Sequence, residues 1–117
     1  MSDIRDRPAE VNASVRELLG SIAPCYPDDY VGDDEKYITF DYSIGGVAAY
    51  DNQPRKALIS LSVRYFCKLG QPSTHERAAI TRALLGDEWS ALTITNAADD
   101  RYQIYVWEVQ RLWPGLM

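Results

Sequence analysis

The chain has 117 residues, 46% of them hydrophobic, and its 12 basic and 17 acidic side chains give a net charge of −5. That length fits one domain spanning residues 1–117, and the apolar share is ordinary for a globular core. An acidic balance with scattered Lys and Arg argues against a nucleic-acid binder, which needs a concentrated positive face.

No apolar run reaches the ~18 positions of a membrane helix, so no membrane partner is expected. The opening MSDIRDRPAEVN lacks the apolar centre of a secretory signal. The expected location is the cytoplasm, unless the chain is carried out within something larger. Asn12-Ala13-Ser14 is for the same reason a glycosylation acceptor in form only. Cys25 and Cys67 match no metal-ligand spacing. They are expected to be reduced and buried, although the sequence leaves a disulfide open.

Pro8 suits a first helical turn, and Val11, Val15, Leu18, Leu19 and Ile22 recur as one apolar stripe, with Gly20 and Pro24 as stop signals. Residues 24 to 35, PCYPDDYVGDDE, read as a solvated loop whose acids do not follow a Ca²⁺-loop pattern. Residues 37 to 44 alternate: Ile38, Phe40, Tyr42 and Ile44 on one face, Tyr37, Thr39, Asp41 and Ser43 on the other. This predicts a half-buried strand. Gly45-Gly46 permits a tight turn or a bulge, Val47 to Tyr50 can continue as a short strand, and Asp51 to Pro54 breaks the pattern.

From Leu58 to Leu69 the alternation is strongest, with Ile59, Leu61, Val63, Tyr65, Cys67 and Leu69 on one face. Such a strand is long against the usual ~5–6 residues and is expected to extend beyond the domain core. Ser73 precedes Glu76 at capping-box spacing. Ala79, Ile80, Ala83 and Leu84 then form a helical stripe ended by Gly86. Trp89 to Thr95 reads as a strand, residues 96 to 100 as a hairpin loop, and Arg101 to Trp113 as a second long strand. Apolar residues on both faces of that strand predict cover on both sides. The order is α-β-(β)-β-α-β-β. It implies an α+β fold with a mixed or antiparallel sheet of about four to five strands flanked by two helices.

Chemistry is hard to find. The single histidine, His75, falls at a helix start, where polar residues are at home. The acidic pairs Asp33-Asp34, Asp87-Glu88 and Asp99-Asp100 fall in turns, without the burial that raises a catalytic carboxyl. There is no phosphate loop, dinucleotide motif or zinc quartet. No catalytic, cofactor-binding or metal residue is assigned, and the chain is expected not to be an enzyme. Eight Tyr and three Trp suit sheet packing, a protein interface or, less well, a ligand pocket. Tyr105, Trp107 and Trp113 share one face of the last strand and are the aromatic interface candidates.

One likeness ties these elements together. The N-terminal helix, the acidic Pro-containing loop, KYITFDYS, the AAYDNQP turn, ALISLSVRYFCKLG, a helix and a hairpin ending YQIYVWEVQRLW follow one another over nearly the whole chain. That succession resembles the tail-terminator (tail-completion, minor tail) proteins of long-tailed bacteriophages. The resemblance implies a virion structural protein without catalysis or cofactor. It would form a homo-oligomeric ring, usually a hexamer, that caps the tail tube and meets the head-tail connector. Its partners would be further copies of itself, the major tail tube protein and the connector, at the head-proximal end of the tail. On that reading the 45–56 connection, with Tyr50, Asp51, Asn52, Arg55 and Lys56, is expected to reach a neighbouring subunit or the tube. Two alternatives stand beside it: a head-to-tail joining adaptor on the portal side, and a small ligand-binding or enzymatic α+β domain.

Overall fold

A computed structural model describes residues 7–27, 34–48 and 56–114. Its elements are α1 (Arg7–Leu19), β1 (Cys25–Pro27), β2 (Lys36–Ala48), β3 (Lys56–Lys68), α2 (Thr74–Gly86), β4 (Ser90–Ala98) and β5 (Tyr102–Pro114). One five-stranded sheet runs in the order β1-β2-β3-β5-β4. All its pairings are antiparallel except that of β1 with β2. This is the α+β fold with a mixed sheet and two helices expected from the periodicities.

Both helices lie on one face of the sheet. Val11, Val15 and Leu19, one helical turn apart, are buried from α1, and Ile80 and Leu84 from α2. They close over Ile38 and Phe40 of β2, over alternate residues Ile59 to Cys67 of β3, and over Tyr105, Trp107 and Val109 of β5. Gly20 ends α1 under a close constraint. A Cβ there would stand 2.6 Å from the Arg16 carbonyl oxygen, which accepts the Gly20 N–H at 2.8 Å.

Three local expectations are corrected. Cys25–Pro27 is not loop: it pairs in parallel with Ile38 to Phe40, too short a run to show alternation in the sequence. The residues that follow, 28 to 33, lie outside the described set. Of the tight turn or bulge that Gly45-Gly46 permits, the bulge is the one formed. The register slips between Ile44 and Val47 as at a bulge, and β2 continues to Ala48.

The capping box does not form. Ser73 makes no side-chain cap bond, and Glu76 instead meets the Lys36 ammonium of β2, a charge-assisted contact stronger than a neutral one. The closing hairpin is tighter than residues 96 to 100 implied, because Asn96 to Ala98 pair with β5. The Asp99 carboxylate makes this turn by accepting the N–H groups of Arg101 at 2.8 Å and Tyr102 at 2.6 Å.

The second face of the sheet is mixed. At one end Tyr37 stacks on Phe66 at 4.5 Å, and Tyr102 meets both rings edge-on. Tyr37, Thr39 and Tyr102 are thereby buried on the side opposite the helices. Along the middle the same face carries Ser60, Ser62, Asp41, Glu108 and Gln110. Ile104 and Val106 are half-buried there, so the cover expected on both sides of β5 is complete only at the aromatic end.

Candidate assembly surface

β2, β3 and β5 each have 13 residues, and so does each helix. At ~3.3 Å per strand residue and ~1.5 Å per helix residue, ribbons of about 43 Å lie against helices of about 20 Å. The excess falls at one end, where Ile44, Ile59 and Arg111 stand side by side and Ala48, Lys56 and Pro114 continue the ladder.

Ile59 is fully buried, but Ile44 beside it is 46% exposed, and Leu112 on the opposite face is 48% exposed. Apolar side chains thus open to solvent on both faces of the projecting end. Arg111 braces the base of this end by an ion pair to Asp87 at 3.0 Å, after the last turn of α2.

The sheet also has two open edges. β4 is terminal, and its residues Thr93 to Ala98 are all exposed. β4 reads SALTITNAA, with no charge and no proline, the devices that normally blunt an edge strand. On the far side β1 covers only Ile38 to Phe40. Among the described residues no strand pairs with the outer side of β2 from Ser43 to Ala48.

Among the described residues, two hollows flank these strands. One, of about 710 Å³, is shallow and lies over the second face, lined chiefly by Asp41, Ser43, Ser60, Ser62, Glu108 and Gln110. Its lining is hydroxyl, amide and carboxylate, and Asp41 is held by Arg64 at 3.2 Å. Ser62 stands between Asp41 and Glu108 across the strands, but no hydrogen bond from its hydroxyl to either is seen among the described residues. The other, of about 270 Å³, is a groove between α2 and β4, bounded by Ala78, Thr81, Ile94 and Trp107 among others.

The residues singled out from the sequence separate into three groups. Trp107 and Tyr105 are corrected. At 1% and 8% exposure they are core side chains under α2, because the face they share is the one the helices cover. Trp113 pairs with Ala57, and Lys56 with both Ala48 and Pro114, which puts both in the projecting end; their side chains lie outside the described set. Tyr50, Asp51, Asn52 and Arg55 lie outside the described residues altogether.

His75 is exposed at the start of α2, and among the described residues no group of three His, Cys, Asp or Glu is placed to hold a metal. Asp87 and Glu88 face Arg111. Both cysteines are buried and free. Burial pushes the Cys25 thiol up to about 11, partly offset by Arg16, and raises Cys67 against the opposing pull of Lys36. Thiols so raised are poor nucleophiles.

Sequence reasoning missed Ile44, Ile94 and Leu112 as surface features, because alternation assigns each to a face without saying where the helices stop. The signal was available in the mismatch between strand length and helix length.

No family model matches the chain, and no curated protein matches it significantly.

Proposed function

We propose that the chain is a virion structural protein of a long-tailed phage: a tail terminator that caps the tail tube as a ring of identical subunits and forms the joint to the head connector. The observation that carries this reading is the three-stranded ribbon overrunning its helices, with Ile44 and Leu112 exposed on opposite faces of its end. Exposed apolar side chains on a projecting ribbon gain free energy only when something covers them. The resemblance in order and spacing of elements names the setting in which identical copies supply that cover.

The face opposite the helices adds support. Its middle carries serines, carboxylates and an amide, suited to line a wet passage while the helices face outward. The 45–56 connection, of which positions 49 to 55 lie outside the described residues, is the segment proposed to reach the neighbouring subunit or the tube.

Electron microscopy of particles made without this chain tests the proposal. Tails of uncontrolled length, or finished tails without heads, restored to normal by the wild-type chain, are the expected outcome. Normal particles in its absence would remove the proposal.

A further inference from the structure

The main-chain groups of β4 alternate in direction, and the hydrogen bonds show which residues face outward. Asp99 donates its N–H to the Tyr102 carbonyl at 3.0 Å, and the register runs unbroken from there to Thr93 opposite Glu108. In an antiparallel ladder every second pair is bonded, so Ala97, Thr95 and Thr93 turn their N–H and C=O groups to β5. The Leu69 N–H, donated to the Arg101 carbonyl at 3.1 Å, agrees, because it assigns the odd-numbered residues of β5 to β3. Ile94, Asn96 and Ala98 therefore hold their N–H and C=O groups toward the open side, where no strand pairs with them among the described residues.

This outward set is symmetric about Asn96. A half turn about the sheet normal at Asn96 sets Asn96 opposite its own copy. Ile94 then stands opposite Ala98 of the second copy, and Ala98 opposite its Ile94, and every one of these pairs is of the bonded kind. A half turn about Thr95 would instead set Ala98 opposite Leu92, inside the irregular stretch between Ser90 and Thr93. We infer that β4 pairs antiparallel with β4 of a second copy, in the register centred on Asn96. The two sheets then run on as one, with their helices on the same side.

The side chains fit this register. On the helix side the large Ile94, 45% exposed, meets the small Ala98, and the two Asn96 amides face each other, each able to donate and to accept. On the other face Thr95 meets Ala97. Ala78 and Thr81, small residues of α2 bordering the groove beside Ile94, leave room for the second strand. A self-paired strand brings any charge close to its own duplicate, and like charges set opposite each other are unfavourable. β4 carries none in a chain with 25% charged residues. The contact takes in Thr93 to Ala98 and a few residues of α2, short of the ~20–30 residues a side in a standard interface. Dimerisation is therefore expected to depend on concentration.

The inference goes beyond the terminator reading and does not rest on it. A two-fold contact closes at two copies, whereas a ring repeats a contact between unlike surfaces, so the dimer is a form of the free chain. The projecting end with Leu112 lies past the start of β4 and takes no part.

Disulfide trapping tests the register. In the bonded pair at the axis the two Cα atoms stand about 5.5 Å apart, within the span of a disulfide. Asn96→Cys is expected to give a covalent dimer on mild oxidation, seen by non-reducing electrophoresis. Thr93→Cys, whose two copies would lie roughly 20 Å apart along the strands, is expected to stay a single chain. Both positions are exposed, the native cysteines are buried, and circular dichroism confirms that each variant folds. Sedimentation velocity of the wild type is expected to show a dimer forming as concentration rises, and Asn96→Lys, which sets like charges at the axis, to lose it.

Thr93→Cys crosslinking as readily as Asn96→Cys, no crosslink from either, or Asn96→Lys dimerising as the wild type does would each overturn the pairing. If Asn96→Lys misfolds, Asn96→Asp takes its place. Loss of the pairing would leave the terminator reading as it stands.

Discussion

The indole nitrogen of Trp107 donates to the Thr81 hydroxyl at 2.9 Å, and that hydroxyl donates in turn to the Arg77 carbonyl at 3.1 Å. This chain of two bonds ties the centre of β5 to α2. Thr81→Val keeps the shape but leaves a buried N–H unpaired, at a cost of about 1–3 kcal/mol. Thr81→Ser, which retains the hydroxyl, is expected to recover most of that loss. Urea denaturation of both variants measures the difference.

The Tyr65 hydroxyl is the opposite case. Its ring is fully buried, and the hydroxyl has no geometric hydrogen-bond partner among the described residues. The Cys67 thiol beside it interacts with that hydroxyl but is a weak partner at best, and burial raises the phenol well above its ordinary value of 10.0. Removing an ill-satisfied buried polar group is neutral or favourable. Tyr65→Phe is expected to leave stability unchanged or raise it by up to ~1 kcal/mol. A loss of similar size in urea denaturation would show that the hydroxyl has a proper partner.

Stability should follow pH through the Lys36–Glu76 pair. The hydrogen bond from Lys36 holds the Glu76 carboxyl below its ordinary 4.5, against an opposing effect of burial. A depressed acid contributes stability above 4.5 and loses it as pH falls through its folded value. Lys36 is raised above 10.5, first by the bond to Glu76, so its contribution holds below 10.5 and fades as pH climbs past its folded value. The melting difference between wild type and Glu76→Gln is therefore expected to be flat between 4.5 and 10.5 and to shrink on either side. A difference that grows in acid would contradict the pairing.

At the projecting end, substitution should separate folding from assembly. Leu112 is 48% exposed, so Leu112→Ser is expected to change monomer stability by no more than about 0.5 kcal/mol. The same variant is expected to weaken self-association and to restore tails poorly when supplied in place of the wild type. Unchanged association with unchanged tails would show that this end of the ribbon is not covered in the particle.

Much of the fold could be read from residue order, because each element has a clean period. Val11, Val15 and Leu19 mark α1, and Ile59 to Cys67 mark β3. What escaped were features decided at a distance. Cys25–Pro27 becomes a strand only because β2 offers it an edge, and Glu76 leaves its cap for Lys36, 40 positions away. Tyr105 and Trp107 were assigned correctly to one face, but periodicity does not say which face the helices cover. The reading of this protein as an assembly unit came from a likeness in the order of elements. The overrun was legible in the mismatch between strand and helix lengths, whereas the open edges became visible only in the order in which the strands pair.

The most direct measurement is electron microscopy of isolated tail tubes mixed with the purified, tagged chain. A ring of added density confined to the head-proximal end of each tube is the predicted result. No binding, or binding scattered along the tube, would contradict the account.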